Sequence, residues 1–356
     1  MKGHSWLIRT ISGTALIVGA IALLTYVVDP YFHFHKPTEN ISYRIYDERF
    51  VNDGILRNFE YDSVIIGTSM TQNFKTTEFE NLFGGTAVKT PLAGAGFQEI
   101  SNTLERAFEY NPDIKKVLWG IDYGYLMQPY DYSPYIDFPE YLYDDNVLND
   151  VNYLLNKDVL LHQTLYCLIA TMQGKETTTF DEYASWIKPV GANVILKDYN
   201  TIENTVINKG LTETERQQVK ETINKNIIKV VQSHPDTTFY MFYTPYSIVY
   251  WDREKTNGNM VKQLEADEIA TELLVKCENI KLYSFFLNEN LVTKLENYTD
   301  IGHYASCVNT YILEQMKGEE YLITEDNWET YIKALKEYYT EYDYYKFIQE
   351  NKEGEK

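Results

Sequence analysis

Cysteine is scarce in this chain: Cys167, Cys277 and Cys307 are the only ones in 356 residues. None belongs to a C-x-x-C pair or a metal-type spacing, and an odd number cannot all pair within one chain. They read as small residues buried among apolar neighbours, which excludes a disulfide framework and is compatible with a bacterial envelope protein. Positive charge is also in short supply. Lys and Arg number 32 against 52 Asp and Glu, giving a formal net charge of -20. Such a surface repels phosphate and excludes nucleic acid as the main partner. Histidine occupies only six positions, and no internal repeat is present. Nothing implies a cofactor. A metal is not expected either: His33 and His35 form an H-x-H pair, but no third ligand lies near them.

What is present starts with a sizeable apolar fraction, 44% of residues, enough for a folded core and incompatible with a disordered chain. The 32 tyrosines exceed ordinary usage. Their simplest role is packing between helices and a sheet, and stacking on sugar rings is the sharper alternative. After Lys2 and Arg9, the run Thr10 to Val28 is uncharged and long enough to cross a bilayer as a helix. Basic residues precede it and Asp29 follows, so the expected topology is a single pass with the N-terminus cytoplasmic and the rest outside. A cleavable signal peptide is the rival reading; the run is long for one and no small-x-small site precedes Asp29.

Residues 29–61 read as a polar, aromatic juxtamembrane connector. From there short apolar runs alternate with helical patterns. The runs are Asp62–Gly67, Thr86–Pro91, Lys116–Asp122, Thr238–Thr244 and Ile280–Phe285. The helical patterns cover Thr71–Phe83, Phe97–Tyr110, Thr212–Ser233 and Met260–Cys277, with Thr212 and Glu215 forming a capping-box signature. This alternation predicts an α/β fold: a doubly wound, mostly parallel five-stranded sheet flanked by helices, preceded by one transmembrane helix. The expected organisation is an anchor at 1–28, a connector at 29–61, a main domain at 62–325, and a C-terminal helix and tail at 326–356. Residues 123–211 break the rhythm and read as an insertion over the carboxyl edge of the sheet, where ligands bind in such folds. Within it, acidic Asp131–Asp150 reads as a solvated lid, or as a surface for a cationic or sugar-bearing polymer. Trp328–Glu350 has the pattern of an amphipathic helix, and the last residues read as frayed.

Chemistry concentrates at two places. In Asp62-Ser-Val-Ile-Ile-Gly-Thr-Ser-Met-Thr71 a serine, Ser69, stands just past the first strand at the turn into a helix. Unpaired N–H groups at a helix start can stabilise an oxyanion there. The block is not G-x-S-x-G, so the α/β-hydrolase nucleophile elbow is not matched. A serine needs a base. Among the histidines His303 stands apart, because it follows the last expected strand and carries Asp300 three residues earlier in Tyr298-Thr-Asp-Ile-Gly-His-Tyr304. In a turn, that spacing lets the carboxylate hold the imidazole tautomer. Taken singly, Ser69 and Asp300 are ordinary helix-capping residues; taken together they make a candidate triad.

A Gly-x-Ser block after the first strand, together with D-x-x-H near the C-terminus, resembles the SGNH (GDSL-like) hydrolase superfamily. The single anchor, the VIIGTS block and the D-x-x-H-Y block are similar to membrane-anchored envelope proteins of the DltD type and to alginate and capsule O-acetyltransferase-like proteins. The resemblance covers roughly residues 61–317. It implies Ser69 as nucleophile, His303 as general base and Asp300 as its orienting carboxylate. It implies an oxyanion-hole glycine at Gly94 or Gly96. The family's third block, G-x-N-D, is replaced by Gly120-Ile-Asp-Tyr123, so Asp122 stands where an asparagine donor is expected; a carboxylate helps an oxyanion only when protonated. The implied activity is acyl transfer or ester hydrolysis, of O-acetyl or D-alanyl type, on an envelope polysaccharide or teichoic-acid-like polymer. The implied partner is a polytopic membrane acyltransferase. The alternative is a non-catalytic glycan-binding or scaffold protein of the same fold. A membrane-held lipase is the weaker third option, since an acidic surface has no affinity for anionic lipid.

Overall fold

A computed structural model describes residues 2–135, 137–201 and 206–353. The chain begins with α1 (Lys2–Val28), α2 (Glu48–Asn58), β1 (Ser63–Ile66), α3 (Thr76–Phe83), β2 (Ala87–Lys89), α4 (Phe97–Tyr110) and β3 (Lys116–Ile121). Then come α5 (Val151–Leu154), a π-helical stretch at Val159–Thr164 leading into α6 (Leu165–Met172), and α7 (Ala192–Ile195). Next, α8 (Glu213–Ile223) runs through a second π-helical stretch at Asn224–Ile228 into α9 (Lys229–Ser233). The remainder holds β4 (Thr238–Tyr243), α10 (Ile248–Asn257), α11 (Met260–Leu274), β5 (Ile280–Ser284), α12 (Glu289–Val292), α13 (Ser306–Lys317), β6 (Leu322–Ile323), α14 (Trp328–Glu341) and α15 (Tyr344–Glu353). The expected frayed end falls partly on 354–356, outside the described residues.

Two compact units divide the chain: Met1–Glu60 with Asp137–Ala184, and Tyr61–Ile136 with Ser185–Lys356. The first contains α1, which is long and apolar enough to cross a membrane; a signal sequence passes the same test. Directly after it the chain turns sharply around Asp29, whose carboxylate accepts the backbone N–H groups of His33 (3.0 Å), Phe34 (2.7 Å) and His35 (3.0 Å) and the Tyr153 hydroxyl (2.9 Å). The imidazoles of the H-x-H pair diverge: His33 Nε2 meets Asp150 at 3.1 Å, while His35 binds the carbonyls of Lys36 and Tyr26. In α2, Val51 and Ile55 lie on one face and are completely buried.

The second unit is built on a six-stranded sheet of order β2-β1-β3-β4-β5-β6, with β1 to β5 parallel and β6 antiparallel to β5. The first five strands fall on the five apolar runs of the sequence. β6, only two residues long, carries too little pattern to be anticipated. Val64, Ile65, Ile66, Val117, Leu118, Phe239 and Met241 are essentially inaccessible. Burial of both sheet faces is why these strands read as continuous apolar runs and not as alternation. Each such side chain contributes about 1.5–3 kcal/mol by leaving water. α4 presents Ile100, Leu104, Ala107 and Phe108 to the core at helical spacing. The single C-terminal helix expected from the pattern is two: Tyr342 adopts an extended conformation and Asp343 caps the new start through the Lys346 N–H (3.0 Å). Fourteen of the 32 tyrosines are buried in the core. Tyr123, Tyr243, Tyr283, Tyr298 and Tyr339 are fully buried, each hydroxyl spent on a protein acceptor or partner.

In this order the sheet switches direction between β1 and β3, and the crevice at their carboxyl ends is where doubly wound folds bind ligands. Both candidate blocks converge there.

Candidate active site

β1 ends at Ile66, and Gly67 follows with φ +150; a Cβ there would come within 2.6 Å of Thr71 Cγ2 and 3.1 Å of the Gly120 carbonyl oxygen. Only glycine fits this close approach of two chains. Thr68 then caps a 3-10 turn over Ser69–Thr71 by accepting the Met70 N–H at 3.3 Å. Ser69 is the first residue of that turn, so its own N–H has no partner within it.

Ser69 Oγ lies 2.8 Å from His303 Nε2. On the other side of the ring, Nδ1 lies 2.9 Å from Asp300 Oδ2 and 3.1 Å from Oδ1. Asp300 Oδ1 also accepts the N–H groups of Gly302 (2.9 Å) and His303 (2.7 Å). Burial alone would raise this carboxyl, but the His303 ring and backbone and the Gly302 N–H hold it at about 2. It is therefore an anion across the physiological range.

The loop carrying this pair is tied on several sides. Tyr298 and Tyr304 bridge its base, and the Thr299 N–H donates to the His303 carbonyl at 2.9 Å. Ser247, after β4, donates from its N–H (3.2 Å) and hydroxyl (2.7 Å) to the Ile301 carbonyl. The Tyr304 hydroxyl donates to the Met70 carbonyl at 2.7 Å, so the histidine loop is fastened to the residue next to Ser69. Trp186 stands edge-on to His303 with ring centroids 5.9 Å apart, and its indole N–H donates to Gln72 Oε1 at 2.7 Å.

Asp122, at the end of β3, has both oxygens engaged. Oδ2 accepts the Thr68 hydroxyl at 2.7 Å, and Oδ1 accepts the Tyr246 hydroxyl and the Gly124 N–H. Burial pushes its pKa up, against these hydrogen bonds. The two glycine candidates separate. Gly94, at φ +68, lines the cleft with Ser69, Asp122 and His303. Gly96 is packed against the Tyr132 carbonyl, where a Cβ would approach to 2.2 Å, and it does not line the cleft. The Gly94 turn is held by the Tyr125 hydroxyl on its carbonyl (3.1 Å) and the Tyr135 hydroxyl on that of Ala93 (2.7 Å).

The cleft has a volume of about 670 Å³ and continues past the triad to Tyr250, Arg253 and Glu254 of α10, Asn259 between the helices, and Gln263 of α11. Gln263 is buried, and its side-chain oxygen has no partner among the described residues. Sequence reasoning overlooked this wall, along with Tyr246 and Trp186. The one available signal was position: Thr244-Pro-Tyr246 follows β4 at the carboxyl edge, where ligand residues gather. No group of three or more potential metal ligands occurs among the described residues.

No family model and no curated protein matches the chain. One solved structure, described as "a putative platelet activating factor from Streptococcus pneumonia", aligns over 76% of this chain and 90% of its own at 13% identity, with a TM-score of 0.38. At that score the likeness carries no argument, and function rests on the site itself.

Proposed function

We propose that the chain is a serine-dependent acyl-transfer enzyme or esterase, acting outside the cytoplasmic membrane on an envelope polysaccharide or teichoic-acid-like polymer. The reading is carried by one observation, the unbroken hydrogen-bonded line Ser69–His303–Asp300 at the carboxyl edge of a parallel sheet. In the proposed reaction Ser69 Oγ attacks the acyl carbonyl carbon and its proton passes to His303 Nε2. Asp300 keeps the other ring nitrogen protonated and stabilises the imidazolium. The N–H groups of Ser69 and Gly94 receive the oxyanion. The tetrahedral adduct collapses, the leaving oxygen takes the proton from His303, and an acyl-serine remains. An acceptor hydroxyl, or water, then gives its proton to His303 and attacks that ester; the second adduct collapses, the bond to Ser69 Oγ breaks, and Oγ takes the proton back from His303, restoring both residues.

Hydrogen-bonding side chains beyond the triad, including the vacant acceptor of Gln263, suit a hydroxyl-rich acceptor better than a long acyl chain. O-acetyl or D-alanyl groups are the acyl classes in keeping with such a cleft. A retained α1 would hold the enzyme beside a polytopic membrane acyltransferase that supplies the acyl group.

Intact-mass analysis after incubation with a fluorophosphonate or p-nitrophenyl acetate tests the chemistry. A single adduct on Ser69, absent from Ser69→Ala, is expected. The occupied carboxylate of Asp122 favours a second reading, a glycan-binding protein without chemistry. Absence of any adduct, with glycan binding unaffected by Ser69→Ala, would establish that reading and overturn the first.

A further inference from the structure

The first unit carries an apolar surface that the catalytic proposal leaves unused. Outside α1, Leu148 is 84% exposed and Met172 87%. Val151, Leu155, Leu161 and Ile169 are exposed as well. Leu161, Leu165, Ile169 and Met172 recur at helical spacing along the π-helical stretch and α6, while Val159, Gln163, Cys167 and Ala170 face inward. This helix is thus apolar on both sides, with Val159, Cys167 and Ala170 turned inward and a second apolar stripe turned outward, which a helix serving only a water-soluble core does not need.

The position of that stripe follows from α1. Leu16, Ile17 and Val18 are exposed, whereas Thr25 and Val28 are buried and Ile21, Ala22 and Leu24 half-buried. The last two turns of α1 pack against α5 and the π-helical stretch, and Tyr153 of α5 is bonded to Asp29 at the helix end. Thr10–Val28 spans about 28 Å at a rise of ~1.5 Å per residue. That matches a hydrocarbon core of about 30 Å. Ile21–Val28 then occupies the outer ~12 Å of the membrane. Whatever packs on those turns shares their depth.

We propose that α5, the π-helical stretch and α6 form an interfacial, lipid-contacting collar around the outer end of α1. The occupant of the apolar face is the acyl-chain boundary of the outer leaflet. The inference rests on α1 being a retained membrane span. The same packing bears on that point, because cleavage before Asp29 would uncover the apolar surfaces now covering Thr25 and Val28. The segment carries no run of basic residues: Lys157 is followed by Asp158 and Lys175 by Glu176, and the two cations that meet on α6, Arg44 and Lys175, are spent on the Tyr166 ring. Contact is therefore by apolar insertion, not by attraction to anionic headgroups.

The test uses the full-length chain in phosphatidylcholine nanodiscs, with an environment-sensitive fluorophore attached at Leu161→Cys, Met172→Cys or Leu16→Cys; Cys307, which is exposed and not buried as its apolar sequence neighbours suggest, is replaced by serine. Circular dichroism checks that each variant is folded. The collar predicts that probes at 161 and 172 lose about half their emission with lipids carrying a doxyl group high on the acyl chain. They should respond little to aqueous iodide or added salt, as for groups buried about 5–10 Å into the interface. The probe at 16 should respond to a doxyl group deep in the chain. Quenching at 16 with iodide-accessible probes at 161 and 172 would overturn the collar and leave the anchor intact. Iodide access at 16 as well would overturn both.

Discussion

Two carboxylates at the site have been driven in opposite directions, and each direction has a measurable consequence. Asp300 is held at about 2, below its ordinary value of 3.8. Its charged form therefore stabilises the fold fully above about pH 4, and the contribution is lost as pH falls through about 2. The carboxylate is half exposed, so the effect is screened and modest. Urea midpoints across that window should fall for the wild type more than for Asp300→Asn. At neutral pH the same variant should lose on the order of 10³–10⁴-fold in serine acylation, through loss of the imidazole tautomer. Asp122 is pushed the other way by burial, yet it is the acceptor for the Thr68 and Tyr246 hydroxyls. Asp122→Ala should cost about 1–3 kcal/mol by leaving two buried hydroxyls without partners. Asp122→Asn should stay folded; in the proposed mechanism it takes a negative charge out of the cleft that holds Ser69 and should acylate faster, by on the order of tenfold. Thermal unfolding and adduct formation rates check the pair.

At the scale of elements, local rules and tertiary context divide the work. α8 starts where it does because Thr212 and Glu215 satisfy each other's backbone N–H groups. Thr212→Ala should cost about 1 kcal/mol, read from denaturant midpoints, with no change in acylation. Such reciprocal caps are written in four consecutive residues and were legible. So were β1 to β5, because a buried parallel strand leaves an uninterrupted apolar run. The break at Tyr342 was not, since the residues on either side keep one amphipathic pattern and only the turn at Asp343 interrupts it. β6 was illegible for a simpler reason: a two-residue strand on the edge of a sheet has no period.

At the scale of the whole molecule, the candidate site joins segments 234 residues apart. Ser69, Asp300 and His303 could be picked out because so few histidines compete and only one carries an aspartate at the right offset. Trp186 and Gln263 could not, because nothing local distinguishes an aromatic or an amide that borders a cleft from one that fills a core; Tyr246 offered only its place just past β4. The choice between Gly94 and Gly96 likewise depended on which one the Tyr132 carbonyl covers. The separation of serine and histidine also sets an order of events during biosynthesis. Ser69 leaves the ribosome well ahead of the loop that supplies its base, by roughly 10–50 s at ordinary translation speeds. Throughout that interval it is an ordinary alcohol. The serine has its partner only once His303 has been made and its loop, which Tyr304 ties to the Met70 carbonyl, is in place. In the proposed role, reactivity is therefore the last property the chain gains, and a product truncated anywhere before residue 303 would be chemically silent.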